Sequence, residues 1–143
     1  MTADTMVCGP RDHSIDEDTC ANVIKDRASN WVEGNPATNK SFLHIKEAFQ
    51  RLMGQTKPKY VYHDNSKELI KAMAKMNLPK DTSIPYKPQT NGVAERACRH
   101  CKEGTTCMLK QSGLTHSWWN YAMRCWNVIR NATEVHAKTC KTP

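Results

Sequence analysis

The sequence predicts an α/β fold in which a mixed sheet is flanked by helices. Three observations carry this. The first 36 residues hold short apolar runs broken by turn residues, the pattern of a strand meander. Beyond them, segments with apolar residues at helical spacing alternate with short strand-like runs. The chain then closes on two long helical segments. Alternation of this kind after an opening meander implies layered helices and strands rather than a bundle or a sandwich. The length of 143 residues fits one domain with one modest core. With 38% hydrophobic and 24% charged residues, the composition is that of a globular chain and not a disordered one. No window approaches the run of about 18 apolar residues that a membrane span needs. The opening Met1-Thr-Ala-Asp4 lacks a basic stretch followed by an apolar one, so secretion is not expected and the nucleus or cytoplasm is.

The elements follow in order. The first strand contains Asp4, and residues 9–18 are polar and turn-rich, a loop to the second strand. Ala21-Asn-Val-Ile24 and Trp31-Val32 are apolar runs separated by a polar turn at residues 26–30. Residues 38–53 read as a helix, because Phe42, Ile45, Phe49 and Leu52 recur on one side and Gly54 ends the run. Residues 60–63 read as a strand. Ser66 then stands at an N-cap position, with Glu68 in the first turn of a helix to about Met76 that buries Leu69, Met73 and Met76. Residues 82–84 read as a brief strand, and residues 85–92, with two prolines and a glycine, as a loop. A long helix runs from Val93 to about Ser112. A last one runs from Ser117 to about Asn131, with Trp118, Tyr121, Ala122, Cys125, Trp126 and Ile129 on its apolar side.

Charge is unevenly distributed. Residues 1–36 hold three basic and seven acidic side chains, a balance of −4, whereas residues 37–143 hold eighteen and seven, a balance of +11. Such a chain either carries solvated charges with no further role, or presents a nucleic-acid surface beside an acidic site. Seven cysteines, an odd and scattered set, read as reduced thiols.

Three acids fall at element ends: Asp4 in the first strand, Asp64 directly after the strand at 60–63, and Glu95 in the first turn of the long helix. Acids so placed can converge at one sheet edge. Phosphoryl transfer needs that convergence, because two divalent cations about 3.5–4 Å apart can clamp the attacking and leaving oxygens of an in-line displacement. Hard cations such as Mg²⁺ take carboxylate oxygens, waters and phosphates. On the long helix Glu95, Arg99 and Lys102 share one face, so two cations stand one and two turns beyond the glutamate, as phosphate contacts or as an ordinary solvated acid–base face.

The residues around the acids sharpen this. Tyr62-His-Asp-Asn-Ser-Lys-Glu-Leu69 resembles the "(S/T)DNGxEF" segment of the integrase core of LTR retrotransposons and retroviruses. Ile84-Pro-Tyr-Lys-Pro-Gln-Thr-Asn-Gly-Val-Ala-Glu-Arg96 resembles that family's long "PYxPQxNGxxER" segment, and Lys25-Asp-Arg-Ala-Ser-Asn-Trp31 is similar to its "DRxSxW" strand. The run Met108-Leu-Lys-Gln-Ser-Gly-Leu114, Trp118-Trp-Asn-Tyr-Ala122 and residues 127–131 are similar to its following helices, so the resemblance spans about residues 2–131. It implies an RNase H-like fold, with a core at 1–131 and a tail at 132–143. It implies that Asp64 and Glu95 are catalytic metal ligands and that the first aspartate is Asp4, with Asp26 as the rival position. It implies Mg²⁺ or Mn²⁺ as cofactor, DNA as substrate and a homodimer or higher oligomer. Arg99, Lys102, Tyr86 and Asn91 are the expected DNA contacts.

The sequence departs from the family pattern in places. Ser66 replaces the glycine after Asp-Asn, Leu69 replaces the phenylalanine, and the interval from Asp64 to Glu95 is shorter. Only three residues precede Asp4, so a core clipped at its N-terminus is expected. The expected activity is polynucleotidyl transfer, comprising 3′-end processing and strand transfer. The alternatives are a non-catalytic DNA-binding remnant of a decayed element, and an RNase H-like nuclease. A zinc reading of Cys98-Arg-His-Cys101 with Cys107 is set aside, because those residues lie within a helix and no second CxxC exists. The acid-rich stretch at 12–18 lacks the glycine and terminal glutamate of a calcium hand.

Overall fold

The computed structural model describes residues 1–9, 11–84, 91–135 and 140–143. Three strands open the chain, β1 (Thr2–Val7), β2 (Cys20–Lys25) and β3 (Val32–Ala37), followed by α1 (Phe42–Met53), β4 (Val61–His63), α2 (Lys67–Met76) and β5 (Lys80–Thr82). Helix α3 (Gly92–Ser112), a 3₁₀ turn (His116–Trp118) and α4 (Trp119–Thr133) complete it. The strands form one sheet in the order β3-β2-β1-β4-β5, antiparallel from β3 to β1 and parallel from β1 to β5. The antiparallel strands are joined by a long loop between β1 and β2 and a short turn between β2 and β3, whereas β1 and β4 run parallel and need a crossover, which includes α1.

Alternation along the strands divides the core in two. Ala3 and Ile24 face α1 and α2, where they pack with Ile45, Phe49, Val61, Leu69 and Met73. Val23 faces the other way onto Ala97 and Cys101 of α3, and Ala21 onto Trp119 and Met123 of α4. Both faces of the sheet are therefore covered. In α1 the buried residues Ile45, Ala48 and Phe49 are spaced as one helical stripe, as are Leu69, Ala72 and Met73 in α2. Ser41 and Ser66 cap these helices by accepting hydrogen bonds from the amides of His44 and Leu69. Asn77 ends α2 in the left-handed region at φ 50°, and Gly54 ends α1 at φ 53°.

Several expected bounds shift. Helix α1 starts at Phe42 rather than 38, because residues 32–37 extend β3 through Gly34, Asn35 and Pro36. Proline is tolerated there because β3 is an edge strand. Strand β5 lies at 80–82 rather than 82–84, since its parallel pairing sets Val61, Tyr62 and His63 opposite Lys80, Asp81 and Thr82. Helix α4 runs to Thr133, past the boundary expected at 131. Residues 85–90 of the expected loop lie outside the described residues.

The largest correction concerns α4. Its buried residues are Trp119, Asn120, Met123, Asn127, Arg130 and Asn131, while Tyr121, Cys125, Val128 and Ile129 are exposed. The inward face is thus mainly polar, because it bonds to protein backbone. Asn131 both accepts from the Val32 amide (3.1 Å) and donates to the Val32 carbonyl (2.7 Å). Asn127 donates to the Gly34 carbonyl at 3.1 Å, and Arg130 to the Asn30 carbonyl at 2.9 Å. These side chains close the edge of β3 as a further strand would.

Candidate active site

Asp4 sits within β1 opposite Val23 of β2, on the sheet face that α3 covers. Strand β4 runs parallel beside β1 with Ala3 opposite His63, so continuing the register one step sets Asp64 next to Asp4. The start of α3 then brings Asn91 across the sheet, and its Nδ2 donates to Asp4 Oδ2 at 3.2 Å. The other carboxylate oxygen of Asp4 accepts from the Thr5 amide at 2.7 Å. Asp64 Oδ1 accepts from the Ser66 amide at 3.2 Å, the turn that leads into the capped start of α2. Asn65 ties this turn to the carbonyl of Ser83 at 2.8 Å.

Electrostatics report the same convergence. Burial raises the Asp4 carboxyl above its usual range, and the charge of Asp64 adds to the rise; Thr5, Asn91 and Lys40 oppose it. Cys98, one helical turn beyond Glu95, is pushed far up by burial and then by the fields of Asp4, Glu95 and Asp64 among its neighbours. The charges of all three acids thus reach Cys98. The charge of Asp64 also reaches Asp4, while Glu95 is exposed on the first turn of α3. Among the described residues, no three histidine, cysteine or acidic side chains are close enough to hold one metal ion.

Asp26 has a different task. Its carboxylate accepts from the Ala28 amide at 3.3 Å, the Ser29 amide at 3.2 Å and the Ser29 hydroxyl at 2.8 Å. Burial pushes its carboxyl up, but these bonds and the N-terminal ammonium outweigh that and hold it below the usual range. Asp26 forms the β2–β3 turn, and Asp4 is the acid beside Asp64.

Arg99 and Lys102 lie exposed on α3 beyond Glu95, as the helical spacing requires, and both line a cavity of about 580 Å³. Tyr86 lies outside the described residues. Two features of the site escaped the sequence. Lys40 stands near enough to Asp4 to act on its charge, and no local pattern signals that. Cys98 lies among the acids, which its spacing of three from Glu95 would have indicated. The thiols of Cys98 and Cys101 are both raised by burial, Cys101 to about 11, so they are protonated groups packed against the sheet.

The chain was compared with known proteins. No protein-family model matches it, and no curated protein does. Solved structures do. The crystal structure of the catalytic core domain of BIV integrase aligns over 96% of this chain and 86% of that one, at TM-score 0.66 and 20% identity. The HTLV-2 integrase catalytic core domain in complex with magnesium, in a trimeric form, aligns over 99% and 90%, at TM-score 0.71 and 19% identity. The fold is the RNase H-like fold of retroviral integrase catalytic cores. A third structure, the simian T-cell lymphotropic virus intasome in complex with the PP2A regulatory subunit B56 gamma, aligns over 99% of this chain and 51% of that one. Its TM-score is 0.75 and its identity 17%. No helix among the described residues is long and apolar enough to cross a membrane.

Proposed function

We propose that this chain is the core of a DNA-joining enzyme that performs divalent-metal-dependent polynucleotidyl transfer at Asp4, Asp64 and Glu95. The observation that carries this reading is the placement of Asp4 on β1 and of Asp64 directly after the parallel neighbour β4, with Asn91 at the start of α3 bonded to Asp4, in an integrase-core fold. The donor set suits a hard cation. Two carboxylates lie at neighbouring positions of the β1–β4 register, and the Oδ1 of Asn91, buried beside Asp4, has no hydrogen-bond partner. Burial raises the Asp4 carboxyl and the Asp64 charge adds to the rise, and a bound cation would offset both. Asp4, Asp64 and Glu95 would hold Mg²⁺ or Mn²⁺, which when bound would activate the attacking oxygen and stabilise the leaving one.

The chain's own residues supply the rest. Asn91 fixes the orientation of the Asp4 carboxylate, and the Ser66 amide fixes that of Asp64. Arg99 and Lys102 hold DNA phosphates along α3, a contact that positions the strand without reading its sequence. Tyr86 and Asn91 would contact the DNA end. The exposed apolar side of α4, with Tyr121, Val128 and Ile129, suits a homodimer or higher oligomer. The site of action would be the nucleus or cytoplasm.

The test is a Mn²⁺-dependent disintegration assay on a branched DNA substrate, with Glu95→Gln as control. Joining that vanishes in the variant supports the reading. Salt-sensitive DNA binding by both forms with no joining by either would instead establish a non-catalytic DNA-binding remnant. Cleavage confined to an RNA–DNA hybrid would establish a nuclease.

A further inference from the structure

The cavity beside α3 is built by the long loop between β1 and β2. The Ile15 amide donates to the Ser117 carbonyl at 2.7 Å, and Trp119 Nε1 donates to the Asp12 carbonyl at 3.0 Å. Asn120 Nδ2 holds the carboxylates of Asp16 and Asp18 at 2.8 and 3.0 Å. The loop is thereby fastened over the start of α4, and a space of about 580 Å³ is left between it, the end of β1 and α3. That volume lies within the roughly 300–1,000 Å³ of small-molecule sites.

The walls differ in character. The floor is apolar, formed by Met6, Leu109, Trp119 and Met123, and one rim is cationic, formed by Arg99 and Lys102. Neither cation has a carboxylate at salt-bridge distance among the described residues. Asp12 is the acidic residue in the lining, and its carboxylate lies back over Gly9, where an added Cβ would meet Asp12 Oδ2 at 2.7 Å. Cys8 and Lys102 line the same space, and the Cys8 thiol, raised by burial and by Asp12, is drawn partly back by the Lys102 charge.

We propose that this cavity binds a small planar aromatic anion, its ring on the apolar floor and its carboxylate, sulfonate or phosphate on Arg99 and Lys102. The two halves of the site demand both properties. A neutral ring leaves two cations unmatched, and a simple inorganic anion leaves the half-buried Met6 and Leu109 uncovered. The guanidinium fork of Arg99 matches an oxyanion with two parallel hydrogen bonds. An occupied cavity takes the cations that the DNA strand would use, so the ligand would compete with DNA; that consequence alone rests on the proposed function.

The experiment titrates the isotopically labelled full chain with naphthalene-1-sulfonate and, separately, with neutral 1-naphthalenemethanol, following backbone amide shifts. Saturable shifts are expected at Val7, Gly9, Arg99, Lys102 and Thr106. The double substitution Arg99→Gln/Lys102→Gln should weaken the sulfonate by about tenfold or more and leave the alcohol unchanged, the loss expected for charge-assisted hydrogen bonds. Thr106→Trp, at an exposed lining position, should block both probes without unfolding the chain. Equal sulfonate affinity in the double variant, or shifts confined to other surfaces, would overturn the proposal. A duplex-DNA arm separates the two readings. Sulfonate binding that leaves DNA affinity unchanged would refute the DNA path along α3 and leave the cavity proposal standing. DNA binding through Arg99 and Lys102 with no sulfonate binding would do the reverse.

Discussion

Gly104 is where α3 and α4 touch, and replacing it with alanine gives a quantitative test of that packing. A Cβ built at Gly104 would lie 2.1, 2.2 and 2.5 Å from Cε2, Cδ2 and Nε1 of Trp126. Carbon atoms rest about 3.5–4.0 Å apart, so the indole would have to retreat by about 1.5 Å. Three atoms of a rigid ring are involved, not the end of a flexible chain. Two effects oppose each other in Gly104→Ala. Helix propensity favours alanine by about 1 kcal/mol. Overpacking costs about 1–3 kcal/mol. The net expectation is a loss of about 1 kcal/mol, read as a fall of roughly 2–4 °C in Tm for a chain of this size. Thermal unfolding of the single variant is therefore paired with the same substitution in a Trp126→Ala background, where the obstacle is gone. There the sign should reverse, to a gain of up to about 1 kcal/mol. An equal effect in both backgrounds, or a stabilised single variant, would refute the close approach of the two helices.

Other outcomes follow from the same structure. Asp4→Asn should raise stability at neutral pH, because the Asp4 carboxyl is held above its ordinary value of 3.8 and its ionised form penalises the fold. The sign follows from proton binding: the native state keeps this proton longer than the unfolded chain, so the penalty grows as pH rises from that ordinary value through the raised one. The gap between variant and parent should close below it, and calorimetry across pH checks this. Mn²⁺ should raise the Tm of the parent and not of Asp4→Asn. Asn131→Ala strips both backbone partners from Val32, a buried position, and should cost about 2 kcal/mol or more; urea unfolding should show a lower midpoint with an unchanged slope.

Much of this architecture was legible because local chemistry and tertiary structure agree. Ser66 caps α2, and Ile45 and Phe49 mark the buried stripe of α1, because those signals act within one turn. Asp4 could be placed in the first strand and Asp64 directly after the strand that precedes it, and the loop before Glu95 marks the start of α3. Helix α4 turns a different side inward from the one its apolar periodicity predicts. Its apolar residues Tyr121, Cys125 and Ile129 point outward, because Asn127, Arg130 and Asn131 satisfy the backbone of an edge strand nearly a hundred positions earlier. Periodicity cannot disclose such partners. The same holds for β3, whose Gly34, Asn35 and Pro36 have weak strand preference and are held by pairing with β2 on one side and α4 on the other. The bonds that occupy Asp26 are local, whereas the Asn91 amide and the Asp64 charge that act on Asp4 come from distant segments, which no local pattern discloses.

The most direct test of the proposed metal centre compares four variants in the Mn²⁺-dependent disintegration reaction: Asp4→Asn, Asp64→Asn, Glu95→Gln and Asp26→Asn. Joining should be lost in the first three, with DNA binding retained, and should survive in Asp26→Asn. Joining that survives Asp4→Asn, or is lost only with Asp26→Asn, would contradict it.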